Sequence, residues 1–298
     1  MAFTNTRFAQ NHLKMNFDKD YYLTRTKRNH FWLGGIDGQM QLHQMKVGIA
    51  GLGGMGSNLA EIMVRLGVGH IKIADPDIIE VSNLNRQVIA NKATVGQKKS
   101  TASMNELRGI SEDFELVVYE DGITEENAEE FVSDLDVIID EIDVFPLMAH
   151  VWLHRAANKK NIPLYSGFII GLGTHIFKFQ GDNYTFEDFM NKDMDKIKNP
   201  TLPFIVDRFA NPLPSYMQSK LNLNRFIETC KDDSVPIFGA STFISHSLLA
   251  IRLVSDFLGL DKTLKIPKTP VMPEFLKLDP LEMILKIHNI QEQKPIIS

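Results

Sequence analysis

From Lys46 onward the chain alternates short apolar runs with amphipathic stretches: KVGIAG, Ser57–Leu66, HIKIADPD, Ser100–Arg108, ELVVYE, Glu125–Leu135, DVIIDEID, Leu147–Lys160 and PLYSGFI. The apolar runs are rich in β-branched residues and too short for helices, and helically spaced segments separate them. This rhythm predicts repeated strand–helix–strand units and a sheet buried on both faces. The expected fold class is therefore α/β: a doubly wound, Rossmann-like sheet with mainly parallel strands.

Beyond Gly167 the rhythm shifts. HIFKFQ alternates apolar and polar residues, which predicts a half-exposed strand opening an antiparallel, irregular extension. Residues 181–236 are polar, and Pro200, Pro203, Pro212, Pro214 and Pro236 stop any long helix there. A long irregular segment of this kind reads as a lid or docking surface, and its NKDMDKIK stretch reads as a solvated loop. An apolar helix follows over 240–258, then a bridge through Pro267, Pro270 and Pro273, then a short helix near Leu281–His288. Upstream, residues 1–40 are polar, with the aromatic pairs Tyr21-Tyr22 and Phe31-Trp32 and a basic cluster of Arg25, Lys27 and Arg28. The expected organisation is a helical arm over 1–40, a nucleotide-binding half over 41–180, and a crossover segment with C-terminal helices over 181–298 completing the same domain.

Composition narrows the function. The chain has 298 residues, with Lys+Arg 32 against Asp+Glu 37 and a formal net charge of -5, which argues against general nucleic-acid binding. Hydrophobic residues at 44% and charged residues at 23% exclude global disorder. A single cysteine, Cys230, rules out an internal disulfide framework, a cysteine-cluster zinc site and a two-cysteine relay within one chain. That usage fits a reducing compartment and predicts a cytoplasmic location. The first residues mix charge and polarity where a signal peptide needs an apolar stretch. The apolar-rich Ile237–Leu260 is broken by His246, Arg252 and Asp256, so no membrane span is expected.

The chemistry is carried by an ordered set of residues. Gly51, Gly53, Gly54 and Gly56 stand where VGIA feeds a helix, a turn that lets backbone N–H groups approach a phosphate. Asp75 closes the next strand, where a carboxylate accepts hydrogen bonds from ribose hydroxyls. To this point NAD and ATP are served equally. VSNLNRQ then supplies Asn83 and Arg86, VGQKK supplies Lys99, and DEID supplies Asp143 at the end of the strand DVIID. A dinucleotide needs no such cations, whereas a triphosphate under attack needs them on its α-phosphate and its leaving pyrophosphate. A carboxylate near those phosphates suits Mg²⁺.

Gly51–Gly56, Asp75-Pro-Asp77, Asn83-Leu-Asn-Arg86-Gln87, Thr94-Val-Gly96-Gln97-Lys-Lys99 and Asp140-Glu-Ile-Asp143 together resemble the ordered motifs of the ThiF/MoeB family, bacterial relatives of ubiquitin-activating enzymes. The resemblance covers residues 22–180. It implies a homodimer that adenylates a carboxylate with ATP and Mg²⁺, the carboxylate belonging to a protein, a peptide or a small or tRNA-borne acid. Upstream, Arg25-Thr-Lys-Arg28-Asn29 is similar to the family's arginine-bearing arm. By that resemblance Arg28, or Arg25 in exchanged roles, reaches the partner subunit's triphosphate, Asp75 holds the ribose, Asn83, Arg86 and Lys99 hold the phosphates, and Asp143 holds the metal. Asp77 and Gln87 join the glycines as nucleotide-binding positions.

Two departures matter. The chain has no CxxC pair, so the zinc that many members hold is not expected, and any thiol relay rests on Cys230, with Arg225, Lys231 and His246 as its candidate activators. Val144-Phe145 replaces the asparagine that often follows the magnesium-binding aspartate, which weakens transfer of the family's Gly-Gly carrier as substrate. His150 and His154, spaced i,i+4, share a helix face and read as core more readily than as metal ligands. The alternatives are a nicotinamide-dependent dehydrogenase, which leaves Arg86, Lys99 and Asp143 unexplained, and a binding subunit that kept the fold without the chemistry.

Overall fold

The computed structural model describes residues 6–230, 235–294 and 296. Each apolar run of the nucleotide half forms a strand: β2 (Lys46–Ala50), β3 (His70–Ala74), β4 (Glu115–Tyr119), β5 (Val137–Asp140) and β6 (Leu164–Ile170). These pair in parallel, β2 with both β3 and β5, β3 with β4, and β5 with β6. The sheet continues antiparallel through β7 (Gly173–Phe179), β8 (Glu274–Asp279) and β9 (Ile284–Asn289), and β1 (Asn11–Leu13) closes the other edge against β4. The order is β1-β4-β3-β2-β5-β6-β7-β8-β9. Strand order reverses at β2, which opens a crevice at the carboxyl ends of β2 and β5.

Period-two alternation divides the strand residues between two cores. Leu116, Val118, Val137 and Ile139 join Leu59 and Met63 of α3 (Gly56–Leu66) and Leu249 and Leu253 of α11 (Gly239–Phe257) on one face. Val117, Tyr119 and Ile138 join Val151 of α6 (Leu147–Lys159), Phe131, Phe177 and Phe275 on the other. Burial on both faces explains why the parallel strands read as continuous apolar runs.

Several expectations are corrected. HIFKFQ is not half-exposed: Ile176 enters one core and Phe177 the other, and α11 packs across β6 and β7. The stretch expected as a helix near Leu281–His288 is a turn and strand β9, whose Leu285 and Ile287 lie opposite Leu278 and Leu276 of β8. Residues 1–40 are not wholly helical, since β1 precedes α1 (Lys19–Thr26) and the next helix, α2 (Gly35–His43), begins late in the arm. Glu125–Leu135 yields one helical turn, α5 (Ala128–Phe131). The region 181–236 is less irregular than expected. Prolines keep its helices short, yet Thr185, Asp193 and Ser219 cap α7 (Phe186–Phe189), α8 (Met194–Lys198) and α10 (Lys220–Thr229), and α9 (Leu202–Phe209) starts with proline in its first turn. NKDMDKIK thus contains a capped helix, whose Ile197 is buried.

Candidate functional site

At the end of β2 the backbone turns through Gly51 at φ +86°. A Cβ at Gly51 would stand 2.1 Å from the Glu141 carbonyl oxygen, and one at Gly56 would stand 1.8 Å from the Gly51 carbonyl oxygen. Backbone packing thus closes both positions to any side chain. Helix α3 starts directly from this turn with no side chain capping it, which leaves amide N–H groups and the positive end of the helix dipole for an anion.

The polar residues gather around this turn. Asp75 is buried at the end of β3, where its Oδ2 accepts the Leu52 N–H at 2.6 Å and its Oδ1 accepts the Asp77 N–H at 2.8 Å. Burial pushes its carboxyl above the ordinary range, and the Lys99 cation opposes that shift. Lys99, itself buried, donates to Asp77 at 2.8 Å. The Arg86 side chain lies over Gly54, and its Nη1 donates to the Ser82 carbonyl at 3.2 Å and to Asn85 Oδ1 at 2.9 Å. Burial lowers the Arg86 guanidinium and nearby Asp143 raises it. Gln87 is buried beside Gly53.

Asp75, Arg86 and Gln87 thereby meet the glycine turn, Asp77 and Lys99 join it through Asp75, and Asp143 acts on it through its charge on Arg86. Asn83 is held in the 3-10 turn Val81–Asn85, its Oδ1 accepting the Glu80 N–H at 3.0 Å and its carbonyl accepting the N–H groups of Arg86 at 3.1 Å and Gln87 at 3.0 Å. One sequence candidate stands apart. Arg28 stands exposed after α1, without a hydrogen bond to the other candidates. Its neighbour Arg25 is fully engaged, donating twice to buried Asp113 at 2.6 Å and to the Val64 carbonyl at 2.9 Å.

The donor set fits a magnesium nucleotide. Arg86 Nε and Gln87 Oε1 are buried polar atoms without a partner, a state that costs free energy unless a ligand supplies one. Asp143 presents an exposed carboxylate just past β5, and oxygen donors suit a hard divalent cation.

Sequence reasoning undervalued a cluster directly behind that aspartate. Asp140 ends β5, and its Oδ2 accepts from both His150 Nδ1 at 2.6 Å and His154 Nε2 at 3.0 Å. Burial disfavours charge on all three groups, yet the two imidazoles hold the Asp140 carboxyl below its ordinary range, and Asp140 in turn raises His150. The signal was the i,i+4 histidine spacing after a strand ending in aspartate. Glu141 lies alongside, accepting the Gly167 N–H at 3.0 Å, and burial together with the Asp140 charge pushes its carboxyl well up. Cys230 is buried at the end of α10 and burial raises its thiol, the reverse of what a thiolate nucleophile needs. Of its candidate activators, His246 is bonded to Asn58 at 3.3 Å, and Lys231 lies outside the described residues.

Comparison with known proteins identifies the family of the chain. The profile of the ThiF family matches residues 26–296. A sulfur carrier protein adenylyltransferase from Thermus thermophilus is 33% identical over 235 residues, covering 77% of this chain and 75% of that protein. A Bacillus subtilis sulfur carrier protein ThiS adenylyltransferase is 35% identical over 139 residues, 46% of this chain, and the chain spans only 41% of that relative's length. Among solved structures, E. coli MccB with ATP superposes with a TM-score of 0.63 at 19% identity, covering 92% of this chain and 74% of MccB, a likeness of fold. Among the described residues no helix is long and apolar enough to cross a membrane.

Proposed function

Because the chain belongs to the ThiF family, we propose that it is an adenylyltransferase that activates a substrate carboxylate with ATP and releases pyrophosphate. The observation that carries this reading is the convergence of Arg86, Lys99, Asp75 and Asp143 on a glycine turn and an uncapped helix start. A substrate carboxylate oxygen attacks the α-phosphorus, a new P–O bond forms, and the bond to the β-phosphate oxygen breaks as pyrophosphate departs. The nucleophile is already ionised, so no protein base is required. Catalysis then rests on positioning and on cations at the equatorial oxygens and the leaving group.

Arg86 and Lys99 supply those cations, Asp75 orients the ribose, and Asp143 would hold Mg²⁺, which when bound neutralises phosphate charge. Arg28 would act across a homodimer on the partner's triphosphate, which accounts for its exposure here. The residues of 181–236 and the groove beside the sheet would receive the carboxylate-bearing protein, peptide or small acid. The relatives named above act on a sulfur carrier protein and on ThiS. A buried Cys230 favours direct hand-off of the acyl adenylate without a thiol, in a cytoplasmic enzyme. ATP–pyrophosphate exchange driven by candidate acids tests the reading. Arg28→Ala is expected to lower exchange by ~10³-fold or more, with Asp143→Ala comparably severe. Wild-type exchange in both variants would sink the assignment, and tight NADH binding in place of ATP would favour the dehydrogenase alternative.

A further inference from the structure

Asp143 follows β5 by a short loop, and that loop is held from behind. Asp140 Oδ1 accepts the Ile142 N–H at 3.2 Å, and the Asp140 carbonyl accepts Ser166 Oγ at 2.6 Å. His150, fully buried on α6, spans the remaining gap: Nδ1 donates to Asp140 Oδ2 at 2.6 Å and Nε2 donates to the Asp143 carbonyl oxygen at 3.1 Å. The Phe186 ring stacks on the His150 ring with centroids 5.3 Å apart, which fixes the imidazole plane. His154 reaches the same Asp140 oxygen at 3.0 Å, stiffening the anchor without touching Asp143. Asp140, His150 and His154 offer three potential metal-ligand atoms within 4.8 Å of one another. The 2.6 Å separation of Nδ1 and Oδ2, however, is that of a hydrogen bond. Two ligands sharing one ion at about 2.0–2.2 Å each stand farther apart than that.

We propose that His150 is a positioning residue that clamps the Asp143 loop through its backbone carbonyl, presetting the Asp143 carboxylate for Mg²⁺. The proposal rests on the adenylyltransferase reading for the role of Asp143. It adds a second set of contacts, drawn from α6, that the motif residues do not include. Partners behind a metal ligand typically set ~10–100-fold in metal affinity.

The two ring nitrogens allow the clamp to be dissected. In His150→Asn the amide nitrogen replaces Nδ1 and keeps Asp140, while the donor to Asp143 is lost. In His150→Gln the amide reaches the Nε2 position and keeps Asp143. ATP binding is measured by calorimetry across a magnesium titration, with thermal unfolding alongside. H150N is expected to need at least ~10-fold more Mg²⁺ for half-maximal binding, with Mg²⁺-free ATP affinity unchanged and H150Q close to wild type. His154→Asn, which weakens only the anchor, should lower the melting temperature and leave the magnesium requirement alone.

An unchanged requirement in H150N, or an equal shift in H154N, overturns the clamp. Should H150N not fold, hydrogen exchange on the wild-type chain decides. Slow exchange of the Ile142 amide, which donates to Asp140 within the loop, before Mg²⁺ is added supports a preset loop, and protection that appears only with Mg²⁺ and ATP refutes it. Wild-type ATP binding that ignores Mg²⁺ overturns both the clamp and the role given to Asp143. Magnesium-dependent binding without pyrophosphate exchange overturns the proposed activity alone.

Discussion

Arg25, in the last turn of α1, and Arg28, three residues on and past its end, have opposite surroundings. Arg25 makes a two-pronged bond to Asp113, whose side chain is 1% exposed. Arg25→Ala would strand that carboxylate without its cation, and urea unfolding should show a loss of about 3–5 kcal/mol. Arg28 is exposed, so Arg28→Ala should cost less than ~0.5 kcal/mol in the same measurement while exchange activity collapses. If the two variants swapped these outcomes, Arg25 would be the arm's functional arginine. Gly51 gives a third residue-scale test. Alanine there combines a φ of +86° with a Cβ 2.1 Å from the Glu141 carbonyl. The left-handed backbone alone costs ~1–2 kcal/mol, and the steric overlap adds to it, so the unfolding midpoint should drop clearly.

Elements differ in how openly the sequence declares them. Strands β2 to β6 were legible because burial on both faces writes itself as an unbroken apolar run. The glycine turn was legible because it stands where a strand feeds a helix, and Arg86, Lys99 and Asp143, whose roles are proposed, were read from their order along the chain. Strands β1 and β9 were not, since each exists through pairing with a strand elsewhere: Asn11–Leu13 against β4, and Ile284–Asn289 against β8. Nothing local in ILKIHN distinguishes a strand from a helix turn until β8 supplies the hydrogen-bond ladder. The histidines of α6 were visible as a pair, while their convergence on one oxygen of Asp140 required the fold. Phe275 shows what the antiparallel addition contributes, being fully buried on β8 against Phe177 with ring centroids 5.0 Å apart. Phe275→Ala should destabilise by about 3–5 kcal/mol, read as a shift in denaturation midpoint with an unchanged denaturant slope. A loss under ~1 kcal/mol would mean that the hairpin opens independently of the sheet.

The whole molecule should be sensitive to acid through histidines buried as neutral rings. Burial lowers His175 to about 3, aided by the nearby Lys277 cation, and lowers His246 to about 4, with Glu61 opposing. The unfolded chain takes up protons near the ordinary histidine value of ~6.5. Between that value and about 4 the unfolded state therefore binds more protons than the folded one, and stability rises with pH across the window. The melting temperature should fall steadily from pH 7 to pH 4.5, and His175→Gln, where it folds, should flatten the slope. A flat profile in the wild type would mean that these rings are accessible to protons in the folded state.

One consequence of α11 concerns time. Strands β2 to β7 are complete once residue 179 has emerged, yet the helix that covers β6, β7 and α3 ends only at Phe257. At a synthesis rate of ~5–20 residues per second, Tyr165 of β6 and Ile176 of β7 wait roughly 4–16 s for their cover. During that interval a nascent chain carries an assembled sheet whose greasy face is covered by α3 at β2 but open over β6 and β7. A chain stopped before Gly239 should partition into the insoluble fraction on expression, while the same chain supplied with residues 239–257 in trans should recover in the soluble fraction.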